Sequence, residues 1–184
     1  TQTGIPPTDD FNGGDNTGTG YFDVNQRKGW RWSSSKAFLR PVKKRKNLHV
    51  WTHAQVTKLN LTKAADGQKK CTSVNVWCNG QMHPLQADLE VILSAGAIGS
   101  PQILQLSGIG SPEQLAKVGI KVEHALEGVG RNLQDHLQIR TVYGVEGVKT
   151  LNMMAATWWG KAAIALEYAI KRSGPMSMAP SQLG

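Results

Sequence analysis

Three groups of residues in this sequence have types and spacings that bear on chemistry. The first is Ser94-Ala95-Gly96-Ala97, four small residues that close the apolar run Leu89-Glu90-Val91-Ile92-Leu93. In a nucleotide-binding sheet, ligands lie beyond the carboxyl ends of parallel strands, where small residues let the backbone approach a cofactor closely. Simple close packing of a helix on a strand would use the same residues. The second group is Gly108-Ile109-Gly110, just ahead of Ser111-Pro112. Such glycines can cradle a phosphate at a helix start. The third glycine of a dinucleotide fingerprint is missing, and the segment does not directly follow a strand, so it reads as a helix cap. The third group is His49 and His53, four residues apart. In a strand they would stand about 13 Å apart, which makes them poor joint ligands. His83 and His124 read as ordinary surface or loop positions, and no metal site is expected.

These residues need elements to position them. Residues 1–46 read as a loop-rich connecting segment, broken by Gly13-Gly14, Gly18 and Gly20. Within it, Ser33 to Leu39 suits a short helix ended by Pro41. From Leu48 and Val50 through Val56, Leu59 and Leu61 the pattern predicts a long strand, with an irregularity near 52–55. Asp66-Gly67 marks a hairpin turn, and Thr72 to Cys78 alternates with Val74 and Val76 on one face. Asn79-Gly80 predicts a second hairpin, because both central residues of a type I′ turn need positive φ. Met82 to Ala87 is then a third strand, placed at an edge because Pro84 cannot donate to a ladder. Leu89 to Gly96 reads as a buried parallel strand. Val74, Val76, Val91, Ile92 and Leu93 are therefore expected to be buried in one sheet region. Ser100-Pro101 is expected to open a helix that stops near Ser107-Gly108, and Ser111 to open another with Gln114 at the capping-box position and Gly119 at its end. Met153 to Arg172 is a further helix, terminated by Gly174-Pro175. Its stripe of Trp158, Trp159, Ala162, Ala163, Leu166, Ala169 and Ile170 suits either core packing or contact with a membrane interface.

Composition narrows the classes. The 184 residues are 40% hydrophobic and 18% charged, a globular balance with enough chain for a real core. The net charge of +8 admits a nucleic acid, an anionic membrane surface or an anionic cofactor as partner. Part of the excess sits in Arg40 to Lys46, which reads as a solvated loop. No zinc-finger spacing, recognition-helix pattern or aromatic-and-basic module accompanies it, so no nucleic-acid partner is expected. Cys71 and Cys78 lie seven apart in one strand, on opposite faces, and cannot pair there. This is no disulfide framework, and a reducing, cytoplasmic location follows as the default. Peripheral association with the inner face of a membrane is the other reading, since no stretch is long and apolar enough to span one.

Two long segments carry a resemblance. Gly96-Ala97-Ile98-Gly99-Ser100-Pro101-Gln102-Ile103-Leu104-Gln105-Leu106-Ser107-Gly108-Ile109-Gly110 resembles the second signature of the glucose–methanol–choline oxidoreductases. Gly128-Val129-Gly130-Arg131-Asn132-Leu133-Gln134-Asp135-His136 is similar to that family's next characteristic stretch. Upstream, Asp9-Asp10-Phe11-Asn12-Gly13 and Arg31-Trp32-Ser33-Ser34-Ser35-Lys36-Ala37-Phe38-Leu39 resemble segments that precede the family's meander. Arg172-Ser173-Gly174-Pro175 resembles the start of its substrate sheet.

The resemblance implies a mixed α/β fold: part of a Rossmann-like FAD-binding domain with an antiparallel meander, plus part of a substrate domain. The organisation it implies is a connecting segment at 1–46, FAD-domain elements at 47–127 and the start of the substrate domain at 128–184. It implies oxidation of a primary alcohol, with hydride passing to FAD and oxygen or a quinone as the final acceptor. Val56 would contact the adenine through its backbone, and Ser94, Ala95 and Gly96 would line the adenosine side. His136 lies in a family stretch and reads as structural. The family's first Gly-rich fingerprint and its catalytic His have no counterpart in these 184 residues. The chain is thus expected to be an internal piece of such an enzyme, inactive alone, weak or lacking in FAD binding, and prone to self-association. At the chain end, Gln182 stands where choline-oxidising relatives have a Glu, which points to a neutral alcohol. Choline itself, a flavin-fold remnant without catalysis and a basic interaction module remain the alternative readings.

Overall fold

The computed structural model describes residues 4–15, 17–137, 139, 141–142 and 144–178. In chain order it has a short hairpin, β1 (Gln26–Arg27) and β2 (Trp30–Arg31), then one π-helical turn over Ser35–Leu39 that runs into α1 (Arg40–Val42). The meander follows as β3 (Ala54–Lys63), β4 (Lys69–Cys78) and β5 (Gln81–Gln86). After it come α2 (Gly96–Leu106), β6 (Ile109–Gly110), α3 (Pro112–Lys117) and β7 (His124–Ala125). The last elements are α4 (Leu151–Met154), α5 (Trp158–Lys171) and a 3₁₀ turn at Pro175–Ser177. Two compact units result, Thr1–His49 with Thr141–Gly184, and Val50–Arg140.

The meander forms where its turns dictate. Asn79 and Gly80 have φ of 51° and 76°, so the β4–β5 hairpin is the tight turn those two residues favour. At the β3–β4 turn Gly67 has φ of 84°, and the Asp66 Oδ1 accepts the Gln68 N–H at 2.9 Å. The sheet order is β3-β4-β5, all antiparallel, and Pro84 pairs with Asn75 on the edge strand β5. Val76 and Cys78 are buried on one face of β4 together with Leu59 of β3. Cys71 and Cys78 are both free thiols. Register shifts at Val56/Lys58 and Asn60/Leu61 bend β3.

The structure corrects the sequence reading at several places. β3 begins at Ala54, and His49 and His53 lie outside any strand; His53 has φ of 54°, which breaks the extended run expected from Leu48. Strand spacing therefore does not set their separation. Among the described residues no group of three or more His, Cys, Asp or Glu could hold a metal ion. The helix after Ser33 runs through Pro41 to Val42; a proline has no N–H for the preceding turn, and the wider π turn ahead of it absorbs this. Residues 89–95 form no strand, and Leu89 and Ile92 are 87% and 76% exposed. A parallel strand exists only on a neighbouring ladder, and among the described residues no strand pairs with this run. Val74, Val91 and Leu93 are half-buried, so of the five residues expected to be buried only Val76 is. Finally, α2 starts at Gly96, one turn before Ser100, with Pro101 inside it. The Ser100 hydroxyl instead accepts the Ala95 N–H at 3.0 Å.

The end of α2 is anchored to the meander. Ser107 is 1% exposed; its hydroxyl accepts the Leu59 N–H at 2.8 Å and donates to the Ile103 carbonyl at 2.6 Å. Gly108, with φ of 80°, lets the chain pass so close to Lys121 that a Cβ would lie 2.5 Å from the Lys121 carbonyl oxygen. Its own carbonyl accepts the N–H groups of Glu123 and His124, and β6 pairs with β7 in parallel. α3 packs under this pair through Leu115, which is almost fully buried. Pro112 opens α3, but the Ser111 hydroxyl makes no capping bond, so the capping box is not formed. Gly119, with φ of 70°, ends it as expected. The other helix expected from sequence is split: α4 ends at Met154, and Thr157 caps α5 by accepting the Gly160 N–H at 3.1 Å.

An ion-pair cluster ties β4 to the segment before β7. Lys69 Nζ donates to the Glu123 backbone carbonyl and lies 3.3 Å from its Oε2, while Lys121 Nζ lies 3.4 Å from Oε1. The Lys69 hydrogen bond, then Lys121, holds the Glu123 carboxyl below its ordinary range. Such a depressed carboxyl contributes stability above its unfolded value and loses it as pH falls through the folded one. The stability difference between the protein and Glu123→Gln, read from thermal unfolding, should therefore be present at neutral pH and vanish at strongly acidic pH. Ser107→Ala leaves the buried Leu59 N–H without its acceptor, and should cost about 1–3 kcal/mol. The measurement is the urea midpoint at unchanged slope.

Candidate cofactor-binding site

The two segments that resemble family signatures meet in the unit Val50–Arg140. The first forms α2 and β6. The second, from Gly128, runs back along α2, held by Gln105, whose Nε2 donates to the Val129 carbonyl at 3.3 Å. Gly130 has φ of 78°, and a Cβ there would stand 2.6 Å from that same Nε2. Gln105 also lies under Gly110, where a Cβ would be 3.3 Å from its Cγ. One side chain thus fills the space between two glycines twenty residues apart. Asn132 also adopts a left-handed conformation, with φ of 57°, and carries the chain past α2. Between α2 and this segment lies an open groove of about 670 Å³. Ala97, Pro101 and Leu133 give it apolar walls, and Gln102, Arg131 and Asn132 give it polar ones. Arg131 pairs with Glu127 at 3.4 Å.

The residues expected to hold the cofactor are placed as follows. Val56 is half-buried in β3, opposite Val76, and its carbonyl accepts from the Gln55 side-chain amide at 3.2 Å. Ser94, Ala95 and Gly96 are exposed at the N-terminal end of α2. Gly96 has φ of 85° and open space where a side chain would be. α2 packs on β3, which carries both sets on neighbouring elements, although no hydrogen bond links Val56 to 94–96. Gln182 lies outside the described residues. His136 is exposed, and its N–H is bonded to the Asp135 carboxylate. Sequence reasoning did not single out Gln105, Ser107 or the groove. All three lie in the two signature segments, but only the fold shows that Gln105 sits between two glycines.

These features suit an extended anionic ligand. Small exposed residues lead into an eleven-residue helix, whose first-turn N–H groups and dipole favour negative charge. The mixed helix and sheet architecture and the paired signature segments define a class of flavoprotein oxidoreductase folds. The GMC oxidoreductase family profile matches residues 1–138, and the chain belongs to that family.

Relatives place it further. The chain is 44% identical over 151 residues to an oxygen-dependent choline dehydrogenase of Photobacterium profundum, a match covering 82% of this chain and 26% of that protein. It is 39% identical over 183 residues to the mitochondrial choline dehydrogenase of Homo sapiens, covering 100% and 30%. Among solved structures, an FAD-dependent oxidoreductase from Chaetomium thermophilum superposes with a TM-score of 0.80 at 24% identity, over 99% of this chain and 32% of that one, a likeness of fold. The chain therefore spans about a quarter to a third of the length of the proteins it matches.

Gly130→Ala adds both a left-handed alanine, costing roughly 1–2 kcal/mol, and a clash with Gln105. In a double-mutant cycle Gln105→Ala should relieve the clash and leave the backbone cost, so the two changes should be less than additive in urea unfolding.

Proposed function

We infer that the chain is part of an FAD-dependent oxidoreductase acting on the CH–OH group of a primary alcohol. The observation that carries this reading is the second signature segment, folded as α2 and β6 with its small N-terminal residues exposed. The alcohol carbon gives up hydride and the hydroxyl a proton; FAD, when bound, supplies the hydride acceptor. In this chain Val56 would meet the adenine through its backbone. Ser94, Ala95 and Gly96 would line the adenosine side, with Gly96 leaving room for close approach. Groups that would cradle the pyrophosphate by a G-x-G-x-x-G loop are not found between Thr1 and Gly184, and none of the five histidines here is assigned the catalytic base.

For the substrate, Gln182 favours a neutral primary alcohol. A Gln can hydrogen-bond but offers no opposite charge to a quaternary ammonium, and losing a close carboxylate in a desolvated site costs about a kcal/mol or more. Choline is the second reading, favoured by the names of the relatives at 39–44% identity. The two separate on the full-length enzyme. The expected outcome is a higher kcat/KM for an uncharged alcohol of similar size than for choline, narrowed by Gln182→Glu. A clear preference for choline in the unaltered enzyme returns Gln182 to a structural role and leaves alcohol oxidation standing. Absence of flavin reduction by any alcohol would overturn the reaction class itself.

A further inference from the structure

The sequence contains two Asn-Gly pairs, Asn12-Gly13 and Asn79-Gly80. An asparagine before a glycine can react with its own backbone. The next residue's nitrogen attacks the side-chain carbonyl carbon, and glycine leaves that nitrogen uncrowded. All four residues are exposed, so access of water does not separate the two pairs. Backbone geometry does. The attack needs the following nitrogen eclipsed with Cβ about the Cα–C bond. Asn79 and Gly80, with φ of 51° and 76°, form the tight β4–β5 turn. In a type I′ turn the ψ of the first central residue is about +30°, which holds the Gly80 nitrogen about 150° away from the Asn79 Cβ. Turning Asn79 into reach breaks the hairpin at its closing pair, Cys78 and Gln81.

Asn12 stands under no such constraint. Its loop is tied at the neck, where the Thr8 N–H donates to the Thr19 carbonyl and the Thr19 N–H to the Pro6 carbonyl, both at 2.9 Å. Gly18 lets the strands of this neck approach, since a Cβ there would lie 2.9 Å from the Pro6 carbonyl oxygen. Beyond the neck, no ladder runs through 9–15 among the described residues. The Asn12 N–H bonds only locally, to the Asp10 carboxylate at 2.7 Å. Phe11, whose ring lies 5.3 Å from that of Phe22, anchors the chain just before Asn12. The chain just after it is Gly13-Gly14, and a Cβ on Gly14 would have nothing within 4 Å. Rotation about the Asn12 Cα–C bond therefore swings an exposed, glycine-rich segment and costs no ladder hydrogen bond.

We propose that Asn12 is a self-modification site of the folded protein, and that the β4–β5 hairpin protects Asn79 from the same reaction. The Gly13 nitrogen bonds to the Asn12 Cγ and gives up its proton. The Cγ–Nδ2 bond breaks, and the departing amide group takes up a proton and leaves as ammonia. Water then opens the cyclic imide to aspartate or isoaspartate, with no change of oxidation state. Either product sets a carboxylate near Asp9, Asp10 and Asp15 and lowers the net charge of +8 by one.

The test incubates the full-length protein at mildly alkaline pH and follows both sites by peptide mass mapping, natively and in urea. In the native protein Asn12 should convert roughly tenfold or more faster than Asn79, the ratio expected where opening one pair costs a hydrogen bond or two. In urea the ladder is gone, and the two rates should converge. Gly13→Val should abolish conversion at Asn12 by crowding the attacking nitrogen. That position accepts a side chain, because its Cβ would meet only the Asp10 carbonyl oxygen, at 3.5 Å. Native conversion of Asn79 as fast as Asn12 would overturn the proposal. So would an Asn12 that converts in urea but stays intact in the folded protein.

Discussion

The unit Val50–Arg140 depends on one buried hydroxyl. β3 is the outer strand of its sheet, and an outer strand leaves N–H groups without a ladder partner. At Leu59 that donor is buried, where an unmet N–H is costly. Ser107 meets it from the last turn of α2 while donating to the Ile103 carbonyl one turn back. The helix end is thereby fixed against the middle of the meander. Everything beyond follows: Gly108 turns the chain against Lys121, and β6 finds β7. In the other direction, the same anchor sets where the N-terminal end of α2 and residues 94–96 stand.

A second layer rests on close approach rather than on apolar burial. The core of this unit is small, with Leu59, Val76, Ile103, Ile109, Leu115 and Val129 as its buried aliphatic residues. Gln105 extends it by filling the space that Gly110 and Gly130 leave, which brings the Gly128–His136 stretch alongside α2. The unit Thr1–His49 with Thr141–Gly184 uses a different device. There, Trp30, Tyr168 and the Arg172 guanidinium stack at the end of α5, over a glycine that has no side chain to obstruct them. The first device creates a groove; the second holds an apolar stripe outward. In both, glycine marks where backbone must pass close to another element.

The site was only partly legible. Its chemistry-bearing segments announce themselves as long runs of particular residues, from Gly96 to Gly110 and from Gly128 to His136. Their contact does not, because Gln105 and Gly130 are twenty-five residues apart and neither type predicts the other. Ser100 illustrates the ambiguity at short range. Serine before proline is a common helix start, yet α2 begins at Gly96, and the Ser100 hydroxyl reaches back to the Ala95 N–H.

The sequence by itself determined the features that a few adjacent residues decide. Asn79-Gly80 and Asp66-Gly67 set the two hairpins, because positive φ costs little only there. Gly108 and Gly119 ended helices for the same reason. The alternation through Val74 and Val76 placed β4, and Pro84 placed β5 at the edge. Only the tertiary structure decided what depends on a distant partner. Residues 89–95 have the composition of a buried strand but pair with no strand among the described residues, since strand formation needs a neighbouring ladder that no local pattern supplies. The α5 stripe has the spacing of a core helix but faces outward, because Tyr168 and Arg172 commit the opposite side to Trp30. Turns are settled by the torsions of two residues, whereas burial is settled by whichever surface arrives to cover it.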